Sequence, residues 1–299
     1  MPVFKKRSML SGMAVQEAMQ KQVLQMPVTA TVRQGIRSII KFKANAVMVA
    51  DAEGCPRGVV SKTDIMAAFY AGLPVDTPLG DIMVGPPHFC DPGDSLETAI
   101  DQLQTLGVHQ IYVRSEDQEH AAGLLTCSDI VGLLYRYCRT CIRSGRCEKE
   151  IAGKDMPRLL VKDVMTHGVS SCAGERPLAD VVEILSHRKL AALLVTNEHT
   201  RSAGTISKTD LVLAYTRGTG IDAPAAEIMN TPIAACTADT LLSQAIQQMF
   251  LSDIQRIFVR EHDDDAVSGV LSLSDATRFR SGTCRACGAG RILEPLDRF

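Results

Sequence analysis

Four aspartates stand where a carboxylate could meet a ligand. Asp64, Asp129, Asp210 and Asp275 each close a heptapeptide: "GVVSKTD" (58–64), "GLLTCSD" (123–129), "GTISKTD" (204–210) and "GVLSLSD" (269–275). Each runs glycine, two mostly aliphatic residues, a hydroxyl residue, a variable residue, a second hydroxyl and the aspartate. The first part reads as a strand ending in Ser or Thr, and Thr-Asp or Ser-Asp as the start of a helix. That junction gathers hydroxyls and unpaired backbone N–H groups at the positive end of a helix, which suits phosphate. A carboxylate beside it can accept two hydrogen bonds from a ribose diol, and the glycine lets a backbone approach a ligand closely. The same residues also make an ordinary helix cap, stabilising by ~1 kcal/mol with no ligand at all.

A second chemistry is written in cysteine. "CRTC" (138–141) and "CRAC" (284–287) are two CxxC pairs, and Cys147 follows the first. Cys138, Cys141, Cys284 and Cys287 together supply the four thiolates of a tetrahedral zinc site or of an iron–sulfur cluster. The pairs are 146 residues apart, so only the packing of distant segments, or of two chains, would join them. The alternatives are two independent dithiols, redox-active or incidental. His88, His109, His167 and His262 lie outside these segments and are not assigned as ligands.

The spacing of the aspartates sets the architecture that must position all of this. Asp64 to Asp129 is 65 residues, Asp210 to Asp275 is again 65, and the two pairs are offset by 146. The offset also pairs Met19 with Met165, Gly58 with Gly204, Met83 with Met229 and Arg114 with Arg260. A fixed period defines a repeat array: four units, arranged as a duplicated pair.

Unit 2 can be read locally. "DSLETAIDQLQTLG" (94–107) places Leu96, Ala99, Ile100, Leu103 and Leu106 at helical spacing, with Asp94 or Ser95 as N-cap and Gly107 as the stop. "QIYVR" (110–114) and "AAGLLT" (121–126) read as strands joined by a charged turn, and Ser128 is expected to cap the following helix. The order strand, helix, strand, strand, helix recurs in every unit, and each unit is too small to cover both faces of its sheet, so units should pack as pairs. The boundaries read as a tail at 1–13, units at 14–73, 77–137, 160–219 and 223–281, a CxxC segment and linker at 138–159, and a CxxC segment and tail at 282–299.

Four copies of "(D/E)xM … G-h-h-(S/T)-x-x-D" resemble CBS domains, small regulatory modules that come in pairs called Bateman modules. The resemblance spans roughly 14–137 and 160–281. It implies an α+β fold of four βαββα units packed pairwise, with Asp64, Asp129, Asp210 and Asp275 on ribose. It places Ser61, Thr126, Ser207 and Ser272 near phosphate, in company with Thr63, Ser128, Thr209 and Ser274. The ligand class implied is adenosyl: AMP, ADP, ATP or a relative. Units 1 and 3 carry Lys62 and Lys208 at the variable position, where an ammonium could reach a phosphate or simply be solvated; units 2 and 4 carry Cys127 and Leu273. Arg256, just before "IFVR", matches a position that is often basic in the family, and unit 2 has His109 and Gln110 in that region. Met26, Cys90, Cys172 and Cys236 recur seven residues after each motif methionine, on the strand expected to border the adenine. Small apolar core filling is the simpler role for them.

With 45% hydrophobic residues and a net charge of −2, the chain reads as folded, with nothing drawing it to nucleic acid. No apolar run reaches the ~18 residues of a membrane span and the N-terminus lacks a secretory core, so a cytoplasmic location is expected. No catalytic signature remains outside the units. The expectation is a non-enzymatic sensor that binds an adenine nucleotide and signals to a protein partner or a second copy of itself. The competing expectation is a metal or redox sensor built on the cysteine pairs, with the units as scaffold.

Overall fold

The computed structural model describes residue 10 and residues 12–143, 159–197, 202–261 and 266–278. Unit 1 consists of β1 (Gln25–Pro27), α1 (Val32–Lys41), β2 (Ala46–Ala50), β3 (Pro56–Ser61) and α2 (Lys62–Tyr70). Unit 2 repeats it as β4 (Phe89–Cys90), α3 (Leu96–Leu106), β5 (Gln110–Arg114), β6 (Ala121–Thr126) and α4 (Cys127–Arg143). In the second half a short strand, β7 (Thr166–His167), precedes β8 (Ser171–Ala173), α5 (Leu178–His187), β9 (Ala192–Thr196), β10 (Ser202–Ser207) and α6 (Lys208–Arg217). Unit 4 has β11 (Ala235–Thr237), α7 (Leu242–Leu251), β12 (Arg256–Arg260), β13 (Val267–Ser272) and α8 (Leu273–Arg278). In each unit the first strand pairs parallel to the second, and the second antiparallel to the third.

The local reading of unit 2 holds for its strands, and α3 starts and stops as expected. Ser95 Oγ accepts from the Thr98 N–H at 3.0 Å, and Gly107 closes the helix in the left-handed region at φ 64°. The cap of α4 is corrected from Ser128 to Thr126. The Thr126 hydroxyl accepts from the Asp129 N–H at 3.3 Å while the Asp129 carboxylate accepts from the Thr126 N–H at 2.8 Å. That reciprocal box requires a residue three positions ahead of the carboxylate. Helix α4 then continues six residues into the segment read as CxxC and linker, ending at Arg143.

Within each half, the paired units exchange their leading segments. Gln20, in the leader of unit 1 ahead of β1, bridges to Leu124 in β6 of unit 2, and Val84, in the leader of unit 2 ahead of β4, bridges to Val59 in β3 of unit 1. The second half does the same: β7 pairs with β13, and Asn230 bridges to Thr205 in β10. This exchange explains why the motif methionine and the motif glycine recur together. A Cβ placed on Gly123 would lie 2.8 Å from Met19 Sδ and 2.7 Å from the Gln20 carbonyl oxygen, and Gly58, Gly204 and Gly269 stand against Met83, Met229 and Met165 in the same way. The glycine thus admits the partner unit's leader, where the sequence alone suggested close approach of a ligand.

The two halves meet face to face. One core cluster is built jointly from unit 1 (Val32, Ile36, Ile65, Phe69) and unit 3 (Leu178, Val182, Leu211, Tyr215), and a second joins Val131 of α4 to unit 4. Phe69 and Tyr215, equivalent residues 146 apart in sequence, stack on each other with centroids 5.0 Å apart and planes at 21°. Equivalent residues can touch in this way only beside a pseudo-twofold axis. Tyr215 also donates to the Leu73 carbonyl at 2.6 Å, and Tyr70 to Glu183.

Candidate functional site

All four motif aspartates sit in the first turn of a helix, and each makes the same box. The Asp Oδ2 accepts from the hydroxyl of Ser61, Thr126, Ser207 or Ser272 at 2.6 Å, and from the same residue's N–H at 2.7, 2.8, 2.7 and 2.9 Å. The capping role therefore occupies one carboxylate oxygen in every unit. Among the neighbouring hydroxyls, Thr63 accepts from Lys208 Nζ at 2.7 Å and Ser274 contacts His109 Nδ1 at 3.4 Å, whereas Ser128 and Thr209 are half-buried in the first turns of their helices.

The variable positions converge where the four units meet. Lys62 and Lys208 start α2 and α6, on the two sides of the pseudo-twofold axis, and each is half-buried. Burial pushes the Lys62 ammonium down to about 8, Arg256 adds repulsion, and Asp210 of the opposite half partly offsets both. Lys208 is depressed by burial and by Arg256 and supported by Asp64, the mirror-image relation. Each motif lysine is thus served by the other half's motif aspartate. Arg256, at the start of β12, is pressed by burial to about 10, with Asp275 opposing, and so stays charged at neutral pH. His109 still reaches solvent, but partial burial and the Lys208 and Arg256 charges lower its pKa.

The result is a hub of basic groups, Lys62, Lys208, Arg256 and His109, drawn from all four units and standing beside four helix N-termini. Like charges gathered at half-buried positions repel one another, and an anion placed among them relieves that repulsion. Lys62 and Lys208 are half-buried, between the phosphate-reaching and the solvated roles that the sequence left open. His109 entered the sequence reading only as a neighbour of β5; its position at the axis depends on the pairing of units 2 and 4, which no local pattern encodes.

The recurring sulfur position is core. Cys90 and Cys172 are buried, Met26 packs against the cluster that holds Cys172, and Cys236 against that of unit 4, and burial raises the Cys90 and Cys236 thiols to about 11. Such thiols are unreactive. A cavity of about 560 Å³ opens at the far end of unit 3's sheet from Ser207, lined by Gly174, Val195, Thr196, Pro224, Ala226 and Met229. It touches none of the expected site residues and is mainly apolar.

Of the cysteine pairs, Cys284 and Cys287 lie outside the described residues, and Cys138 and Cys141 fall in the last turns of α4. Among the described residues no group of three or more His, Cys, Asp or Glu side chains could hold a metal ion, and no helix is long and apolar enough to cross a membrane.

The comparisons with known proteins agree with this architecture. The family model for the CBS domain matches residues 15–71, 79–136, 161–217 and 225–282. The chain belongs to the CBS domain family, as four units in two pairs. Among solved structures it resembles protein MJ1225 of Methanocaldococcus jannaschii, proposed as an archaeal homologue of g-AMPK: 17% identity, 89% of this chain and 99% of that one covered, TM-score 0.73. It also resembles an uncharacterized conserved protein of Pyrococcus horikoshii, at 18% identity, 90% and 100% coverage and TM-score 0.58. No curated protein matches.

Proposed function

We propose that this protein is a regulatory sensor whose paired units bind adenine nucleotides, or related adenosyl compounds, with their phosphates directed at the central hub. The observation that carries the reading is the hub itself: Lys62, Lys208 and Arg256 are half-buried beside the Ser/Thr-x-x-Asp helix starts and near enough to depress one another's pKa, an arrangement that favours a bound polyanion. Family membership supports the adenosyl part, and the architecture of CBS units alone supports a regulatory rather than a catalytic role. Because the hub draws on both halves, a nucleotide there stabilises one packing of the two halves over others. Its occupancy is thereby passed to a protein partner or a second copy as a population shift.

Adenine nucleotides should raise the melting temperature by mass action, by about 2.7 kcal/mol of stability at a hundredfold excess over Kd. Asp210→Ala and Asp275→Ala should each shrink that ligand-dependent shift, over and above the loss of ~1 kcal/mol from the missing cap. If AMP, ADP, ATP and S-adenosylmethionine all leave the melting temperature unmoved at millimolar concentration, the reading is wrong.

A second reading is favoured by one observation: α4, which carries Cys138 and Cys141, packs on α8, whose last residue lies six positions before Cys284. A zinc or iron–sulfur site shared by Cys138, Cys141, Cys284 and Cys287 would tie the ends of the two halves together, and its binding energy would be folding energy for that contact. Chelation should then loosen the two halves, as should Cys284→Ser with Cys287→Ser. Elemental analysis of anaerobically purified protein showing neither zinc nor iron would remove this reading.

A further inference from the structure

The four motif aspartates differ in what their leaders bring to them, and in unit 2 the leader brings a glutamine amide to the carboxylate. Gln20 Nε2 donates to Asp129 Oδ1 at 2.8 Å. Since Asp129 Oδ2 already accepts from Thr126 Oγ1 and N, both oxygens of this carboxylate are engaged within the protein. The donor is held firmly. Gln20 N donates to the Leu124 carbonyl at 2.8 Å and Leu124 N to the Gln20 carbonyl at 2.9 Å, with Gly123 leaving room for the leader.

The residues at the same register of the other leaders are Val84 opposite Val59, Thr166 opposite Val270 and Asn230 opposite Thr205. Valine has no donor, and Thr166 and Asn230 have shorter side chains than glutamine. Unit 2 is also the one whose variable position is Cys127, so it lacks the lysine found in units 1 and 3.

We propose that Gln20 is a built-in competitor for the ribose-binding carboxylate of unit 2: it does intramolecularly what a ligand diol would do, and keeps that site closed at nucleotide concentrations that fill its neighbours. The competitor belongs to the leader of unit 1, so opening the site requires a change in the leader exchange between paired units. Filling of unit 2 is therefore the step coupled to rearrangement of the first pair. This inference rests on the nucleotide reading above.

The test counts AMP molecules bound per chain by equilibrium dialysis with labelled AMP. Gln20→Thr and Gln20→Val place at this register residues that the chain itself carries at Thr166 and Val84, so the backbone pairing with Leu124 is preserved. Either variant should bind AMP at unit 2 about tenfold tighter or better, the effect of freeing a charged acceptor from a competing hydrogen bond. The gain should appear as one further equivalent, and adding Asp129→Ala to the variant should remove it. A wild-type protein that binds AMP, with variants of unchanged stoichiometry, overturns the competitor role alone. Binding by neither wild type nor variants overturns the nucleotide reading and this inference together.

Discussion

Arg256→Gln, which installs the residue found at the equivalent position of unit 2, Gln110, is expected to stabilise the unliganded protein while weakening ATP binding at least tenfold. The two effects share one cause. Arg256 depresses both Lys62 and Lys208 and is itself half-buried. Without an anion, its removal relieves repulsion by roughly 1 kcal/mol, since like charges in a partly buried cluster destabilise. With ATP present, the variant lacks a charge-assisted hydrogen bond of about 1.5–3 kcal/mol.

The pH dependence follows from Lys62, whose pKa drops from 10.5 in the unfolded chain to about 8 in the fold. Between those values the unfolded chain holds more protons, so stability of the unliganded protein should rise as pH climbs from about 8 to 10.5. Over the same window ATP stabilisation should fade, because the ammonium that attracts phosphate is being lost. Near pH 8, binding should take up protons, visible by calorimetry in buffers of different ionisation enthalpy. Chemical denaturation of wild type and Arg256→Gln, with and without ATP, decides the matter. A variant that is less stable unliganded and binds ATP as wild type does would show that the hub is not a phosphate site.

Gly123→Ala should be a damaging one-methyl change. Its new Cβ would sit 2.7 Å from the Gln20 carbonyl oxygen and 2.8 Å from Met19 Sδ. The methionine can swing aside, but the carbonyl cannot move without breaking its pairing with Leu124. Overpacking of this kind costs about 1–3 kcal/mol, and the displaced leader should carry Gln20 away from Asp129. Gly132→Ala in α4 is the control: its Cβ would meet only Phe250 Cζ at 3.8 Å, and alanine in a helix interior is favoured by about 0.5–1 kcal/mol. Urea midpoints should move in opposite directions for the two variants. Equal or opposite movement from that expected would mean that the leader does not stay on β6.

Much of this protein was open to reading along the chain. The 65- and 146-residue spacings gave four units, β5 and β6 fall on the residues that alternation and turn chemistry indicate, and Gly107 stops α3 for the local reason that it can adopt a left-handed backbone. Each of these depends on interactions a few residues long, or on a repeat that needs no geometry. Even the misplaced cap of α4 was wrong by only two residues, because Ser128 and Thr126 are both competent and only the reciprocal bond to Asp129 distinguishes them. Contacts between residues far apart in sequence were not legible. The glycine of the heptapeptide looked like a ligand feature until the leader of the neighbouring unit proved to lie against it. Lys62 lies in the field of Asp210 and Lys208 in that of Asp64, and Lys208 bonds Thr63 as Gln20 bonds Asp129, all across more than a hundred residues. The chain spelled out every side chain of the hub; which charges share it, and which site is kept closed, follow from burying two sheet faces and two helix pairs against one another across a pseudo-twofold axis.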